Sequence, residues 1–121
     1  MKLITKELER KFKKYPIYSQ EDKGYQSKIL CKFFNPCGSA TWYVTEAEKQ
    51  GDNDYLFFGL VDLWGNKEEA ELGYFTLNQL KEIKLPWGLT IERDLYFHDC
   101  TIEDIKKRQI LLNIYRQATK L

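Results

Sequence analysis

The segment YLFFGLVD, residues 55–62, constrains the fold more than any other part of the sequence. Apolar side chains occupy both sets of alternate positions: Leu56, Phe58 and Leu60 on one side, and Tyr55, Phe57 and Val61 on the other. A strand with this pattern is buried on both of its faces. The chain therefore needs a sheet with other elements packed on each side, and Gly59 predicts a bulge or a close neighbouring backbone within that sheet.

A β-hairpin is predicted immediately before this strand. Residues 27–34, SKILCKFF, alternate between Ile29, Cys31 and Phe33 on one face and Lys28, Leu30 and Lys32 on the other. The turn sequence NPCG, residues 35–38, leads into SATWYVT, residues 39–45, which alternates in the same way and places Tyr43 on the outer face. The two strands are expected to pair.

The rest of the chain is less regular between residues 46 and 101. Residues 46–54 are polar and contain turn-forming residues, which predicts a surface loop. ELGYF, residues 71–75, is predicted to be a short strand, and two more short strands are expected near residues 89–91 and 95–97.

Three helices are marked by capping residues. Thr5 begins an N-terminal helix that ends near residue 14, and Thr76, followed by a Gln at the third helical position, begins a short middle helix. Thr101, followed by an Asp at the third helical position, begins a longer C-terminal helix over residues 102–119. The fold class is therefore α+β, with a central antiparallel sheet of about four strands and these three helices.

Length and charge restrict the classes of function. A chain of 121 residues has room for one core, so residues 1–121 are predicted to form a single domain. The 19 Lys and Arg residues nearly balance the 18 Asp and Glu residues, so the chain has no strong overall electrostatic attraction to nucleic acid or anionic membranes. We expect neither a membrane-spanning segment nor a signal peptide. The three cysteines, Cys31, Cys37 and Cys100, are expected to be free thiols. We therefore expect a cytoplasmic protein without a membrane partner.

Four segments, in this order and spacing, resemble one bacterial family: KFFNPCGSATWYVTE, YLFFGLVD, ELGYFTLNQL and LPWGLTIERDLYF. The family is domain of unknown function 2958, and the resemblance covers Lys32 to Phe97 within a family-like core of about residues 28–97. It implies a small protein of a mobile genetic element, such as a plasmid, an integrative element or a phage, often encoded near conjugation or anti-restriction genes. It supplies no catalytic site, and the long C-terminal helix departs from its usual pattern.

A carboxylate centre is the first candidate for chemistry, because hydrolytic metal sites need oxygen ligands around one ion. Glu46 falls at the opposite end of the predicted sheet from Asp62 and Glu71. Only these last two, with Glu92, Arg93 and Asp94 from a later loop, could converge into a metal-dependent hydrolase or nuclease. The commoner role of such acids is to end strands, to accept turn amides or to pair with an arginine.

Cysteine chemistry is weakly supported. Cys31, Cys37, His98 and Cys100 are residue types that bind zinc, but no CxxC pair is present and Cys31 alternates with core residues. No third group orients a Cys–His pair for nucleophilic catalysis. The sequence therefore predicts no metal and no cofactor, and the chain is more readily interpreted as a binding protein than as an enzyme.

Nucleic-acid binding through basic helix faces is a third interpretation. One basic set lies in the N-terminal helix: Lys2, Lys6, Arg10, Lys11, Lys13 and Lys14. A second lies in the C-terminal helix: Lys106, Lys107 and Arg108. Such sets can hold a phosphate backbone, although a solvated helix face is the commoner explanation.

The preferred interpretation is a protein-binding module of a mobile element that inhibits or assists host nucleic-acid-processing or defence machinery. Trp64 and Trp87 lie in predicted loops, and with Tyr43 they are candidate interface anchors. The C-terminal helix carries more apolar residues than one stripe needs, so Ile110 and Ile114 are predicted to contact a partner or a second copy of the chain.

Overall fold

The computed structural model describes residues 2–119. Its helices and strands, in chain order, are α1 (Lys6–Lys14), β1 (Lys28–Ile29), β2 (Cys31–Phe34), β3 (Thr41–Gln50), β4 (Asp54–Asp62), β5 (Glu71–Thr76), α2 (Leu77–Glu82), β6 (Glu92–Arg93), β7 (Cys100–Thr101) and α3 (Ile102–Ala118). Two short 3₁₀ segments, Glu21–Gln26 and Pro86–Gly88, lie in the connections.

A five-stranded antiparallel sheet in the order β5-β4-β3-β2-β6 forms the centre of the fold. The predicted hairpin of β2 and β3 is present, with Cys31 opposite Val44. A separate two-stranded sheet pairs β1 with β7. The α+β prediction is confirmed, and the central sheet has five strands rather than about four because the two-residue β6 adds to the edge of β2.

The first face of the sheet packs against α1 and α2. Phe33, Phe57 and Phe75 project from three strands into this side of the core. Phe12 of α1 approaches them, and its ring centroid lies 5.6 Å from that of Phe57 in an edge-on arrangement. Leu80 of α2 completes this layer, so the two helices that precede and follow the strands cover one side of the sheet.

The second face is covered at its centre by the start of α3. Tyr43 and Leu60 lie opposite each other on β3 and β4, and both pack against Ile102 and Ile105 of α3. Ile29 of β1 joins the same cluster. The prediction that β4 is covered on both sides is confirmed at this point, because Phe57 and Leu60 face opposite layers and are fully buried.

Three local predictions were wrong. Residues 46–54 are not a loop, because β3 continues to Gln50 and only residues 51–53 turn into β4. The strands expected at residues 89–91 and 95–97 are replaced by β6 at residues 92–93. Ile29 does not share a face with Cys31, because the chain leaves the central sheet at Leu30 and β1 pairs with β7 instead.

The capping predictions are confirmed. The hydroxyl groups of Thr5, Thr76 and Thr101 each accept a hydrogen bond from a backbone N–H in the first turn of α1, α2 and α3 respectively. Gln79 and Asp104 complete the two capping boxes by accepting from the backbone N–H of the capping threonine. Each helix therefore starts where the sequence predicts.

At Gly59 the backbone of β4 lies close to the backbone of β3. A Cβ atom there would lie 1.7 Å from the carbonyl oxygen of Tyr43, and backbone cannot move aside as a flexible side chain can. We expect Gly59→Ala to lower the free energy of unfolding by about 3 kcal/mol, the upper part of the usual range for overpacking. Denaturation by guanidinium chloride measures this loss.

Gly73 provides the matched control, because it lies directly opposite Gly59 on β5 and a Cβ atom there would meet nothing within 4 Å. Gly73→Ala should be neutral or stabilising by up to about 1 kcal/mol, since alanine loses less entropy in a strand than glycine. Equal losses in the two variants would contradict the role given to the contact between Gly59 and Tyr43.

Candidate functional site

A cleft of about 440 Å³ opens on the second face of the sheet, beside the part of α3 that follows its buried start. Lys32 and Tyr43 form the floor on β2 and β3, and the segment of residues 94–98 forms one side. The other side is α3, through Ile105, Arg108, Gln109, Leu112 and Arg116. The cleft therefore joins the β2–β3 hairpin to the C-terminal part of the chain.

Tyr43 lies at the bottom of the cleft and is only 3% exposed. Its ring centroid lies 6.3 Å from that of Phe97, and the ammonium group of Lys32 lies 5.9 Å from the ring centre. Burial raises the pKa of its phenol well above the ordinary value, and the nearby Asp62 carboxylate acts in the same direction. The prediction of Tyr43 as an exposed anchor was wrong, because α3 covers this face of β3.

The charges around the cleft are unevenly neutralised. Lys32 pairs with Asp94 at 3.5 Å, and Lys67 pairs with Asp62 at 2.8 Å. The ion pairs of residues 2–119 do not include Arg108 or Arg116. Both arginines are exposed on the α3 side of the cleft, and Asp104, one turn before Arg108, offsets part of the Arg108 charge.

Asp62, a candidate metal ligand, serves the loop that follows β4. Its Oδ1 accepts hydrogen bonds from the backbone N–H groups of Trp64, Gly65 and Asn66, at 3.2, 2.8 and 3.0 Å. Its Oδ2 forms the ion pair with Lys67, although not in hydrogen-bond geometry. Its side chain is 1% exposed, so the carboxylate acts as the buried centre of a turn.

Of the other predicted carboxylates, Glu71 lines the same pocket as Asp62, whereas Glu92 and Glu46 lie elsewhere. Glu71 lies on the neighbouring edge strand β5, exposed and opposite Val61. Glu92 lies on β6 at the other edge of the sheet, four strands from β5 and therefore about 19 Å away at the usual strand spacing. Glu46 is buried and accepts the backbone N–H groups of Tyr18 and Gln20, which fixes the loop before β1.

Arg93 and Asp94 hold the segment that follows β6. Arg93 donates to the carbonyl oxygen of Leu3 at 3.0 Å. Asp94 accepts from the backbone N–H of Tyr96 at 2.9 Å and donates its own N–H to the carbonyl oxygen of Lys32. These bonds set the side of the cleft, and the Tyr96 side chain, 86% exposed, stands on it.

The candidate zinc ligands are dispersed. Cys31 is buried, Cys37 is exposed and Cys100 is half-buried, and all three are free thiols. Burial raises the pKa of the Cys31 thiol far above its usual value. In residues 2–119, no group of three or more His, Cys, Asp or Glu side chains could hold a metal ion.

The relationship of the chain to known proteins rests on one match. The family described as "Protein of unknown function (DUF2958)" matches residues 3–103. The chain belongs to this family. Neither the curated proteins nor the solved structures provide a match. The DUF2958 match contains the whole sheet with α1 and α2, and it stops just after α3 begins.

Most of α3 therefore lies outside the DUF2958 match, and its two sides differ. The inner side, through Ile102, Ile105 and Gln109, is buried against the domain. The outer side is solvent-facing and apolar over two turns, through Ile110, Leu111, Ile114 and Ala118. The predicted partner residues Ile110 and Ile114 lie within this outer side, 45% and 60% exposed.

The two loop tryptophans lie apart from each other. Trp64 follows β4 beside Gly65, which lines the cleft. Trp87 lies between Leu85 and Ile91, which pack into the first-face core, and its own backbone is in the left-handed region, with φ at 59°. Both rings are highly exposed, and their contact with a partner stays a prediction.

Within the described part of the DUF2958 chain, no helix is long and apolar enough to cross a membrane.

The basic residues singled out in the sequence are only partly available. Lys106 donates to the carbonyl oxygens of Lys67 and Ala70, and Gln109 accepts the Lys67 N–H, so both tie the loop after β4 to α3. Lys11 is likewise held by the carbonyl oxygen of Leu30. Arg108 stays exposed, although Asp104 offsets part of its charge, and Arg116 was missed because its side of the helix depends on how α3 packs.

Stability measurements can distinguish a turn-forming role of Asp62 from a catalytic role. We expect Asp62→Ala to lower the free energy of unfolding by about 2–3 kcal/mol, because three backbone N–H groups lose a charged acceptor. Glu71→Ala, at an exposed position, should change it by less than about 0.5 kcal/mol. Urea denaturation measures both. Loss of a Mg²⁺-dependent nuclease activity in both variants, with stability unchanged, would instead support the metal site.

Proposed function

We propose that this chain is a small, non-enzymatic protein-binding module that contacts its partner through the outer side of α3. The observation that carries this proposal is the exposed cluster of Ile110, Leu111 and Ile114 on a helix whose opposite side already packs against the domain. Large apolar side chains grouped on one exposed helix face are typical of an interaction surface.

The energetics favour covering this cluster. After Gln109 the domain buries neither side of α3, so the large apolar side chains of the cluster remain in contact with water. Removing the exposed half of each of these side chains from water would contribute about 1 kcal/mol. Tyr115, 64% exposed beside them, adds an aromatic group of the type common in interface centres.

The partner's surface would be an apolar groove with acidic residues at its rim. Lys107 lies on the outer side of α3 one turn before the cluster, and Glu103 neutralises it only in part, at an exposed pair of 3.2 Å. Positive charge beside an apolar stripe favours a negatively charged rim on the partner. The proposed partner belongs to the host's nucleic-acid-processing or defence machinery, which this chain would inhibit or assist. This choice rests on the family's resemblance to proteins of plasmids and phages.

A double substitution on the outer side tests this proposal. Tagged Ile110→Ser/Ile114→Ser and the wild-type chain would be used to purify partners from nuclease-treated bacterial lysate, with recovery measured by quantitative mass spectrometry. We expect the wild-type chain to retain a stoichiometric protein partner and the double variant to lose it by about tenfold or more, since two anchors of roughly 1 kcal/mol or more are removed. Thermal stability should be unchanged, because both positions face solvent.

The matched control is Leu63→Ser/Leu89→Ser, which removes two apolar side chains of similar exposure, 48% and 42%, from loops rather than from the outer side of α3. It should retain the partner as well as the wild type does. Equal recovery with both double variants would contradict binding through α3. Sedimentation of the purified chains over a concentration series tests whether the partner is a second copy of this chain. A wild-type dimer that becomes a monomer in Ile110→Ser/Ile114→Ser but not in the control variant would identify that second copy as the partner.

A further inference from the structure

We infer that the cleft between α3 and the sheet binds single-stranded nucleic acid, with phosphates at Arg108 and Arg116 and a base against Tyr96. The cleft lies on the inner side of α3, so this site is distinct from the protein-binding surface proposed above. Its lining combines two exposed arginines, which the ion pairs of the described residues do not include, with an exposed aromatic ring from a different element.

Charge is the first reason. The chain as a whole carries a net charge of only +1, so no general field draws it to phosphate. In the cleft, however, the ion pairs of the described residues use Lys32 and Lys67 and include neither arginine, and Asp104 offsets the charge of Arg108 only in part. The arginines are eight residues apart on one side of α3, about 12 Å along the helix axis, which suits successive contacts along a backbone rather than one compact anion.

The aromatic side chain is the second reason. Tyr96 lines the cleft and is 86% exposed, so its ring is available to a ligand. The Asp94 carboxylate accepts a hydrogen bond from the backbone N–H of Tyr96 at 2.9 Å, which holds the backbone that carries the ring. An exposed ring beside a basic groove is the arrangement that stacks bases of single strands without regard to sequence.

Shape is the third reason. At about 440 Å³ the cleft has the size of a small-ligand pocket and admits one nucleotide unit with its neighbours continuing along α3. A base paired within a duplex has no free face for Tyr96. The geometry therefore selects a single strand over a double helix.

The test is fluorescence anisotropy with the full chain and a labelled oligo(dT) of about 12 nucleotides, within the usual range of site sizes. We expect Arg108→Ala/Arg116→Ala to raise the Kd by about tenfold or more and to reduce the slope of log K against log salt by about 1.4, since two phosphate contacts are lost. Tyr96→Ala should also raise the Kd by roughly tenfold, and Tyr96→Phe should restore binding because stacking needs only the ring.

Two controls keep the result specific to the cleft. Lys13→Ala/Lys14→Ala removes the same charge from exposed positions of α1, which covers the opposite face of the sheet, and should leave the Kd unchanged within about twofold. Ile110→Ser/Ile114→Ser should also bind normally, so failure of the proposed protein-binding function would leave this site intact. The substituted arginines are exposed, and circular dichroism would verify that the variants are folded.

Competition decides the class of ligand. An unlabelled single strand should displace the probe, whereas inorganic phosphate, poly-glutamate and a duplex of the same length should displace it far less effectively. Displacement by poly-glutamate as readily as by the single strand would overturn the assignment in favour of an acidic protein segment. Absence of binding at low salt, or equal losses in the α1 and α3 charge variants, would overturn the site itself.

Discussion

The close pairing of β3 with β4 is the constraint on which the rest of the structure depends. The two strands share the longest ladder of the sheet, and the ladder shifts register between Val44 and Glu46, where Thr45 forms a bulge. At that bulge the backbone of β3 lies against Gly59, where no side chain could be accommodated. Both core layers and the floor of the cleft are positioned by these two strands.

Local signals made much of this fold predictable. A capping threonine, joined in α2 and α3 by an acceptor at the third helical position, specifies a helix start from adjacent residues alone, and all three helices begin as expected. The alternation around Phe57 specified a strand covered on both faces in the same way. By contrast, β1 and β6 pair with elements far away in sequence, and two-residue strands carry too little periodicity to be recognised.

The candidate site was predicted less well for the same reason. Residue type identified Asp62 and Arg108, but type does not reveal whether a charge is already used by its neighbours. The Asp62 carboxylate accepts hydrogen bonds within its own turn, and Lys106 donates to two carbonyl oxygens. Arg116 instead lines the cleft, because α3 packs with that side towards the sheet. Tyr43 was predicted to be a surface anchor, but it is the buried floor of the cleft because the same helix packs over it. The cleft and the exposed apolar cluster of this chain therefore both depend on how α3 packs against the sheet, which no local sequence pattern describes.

The anchoring of α3 is confined to its first two turns, where Ile102, Ile105 and Gln109 are buried. A helical segment of the remaining length is only marginally stable by itself in water, so amide hydrogen exchange should become faster from Gln109 towards Ala118. A ligand on either side of this segment would have to order the same helical turns. Occupancy of the inner side would thus favour occupancy of the outer side and the reverse, a reciprocal coupling that arises from shared conformational entropy without any change of fold.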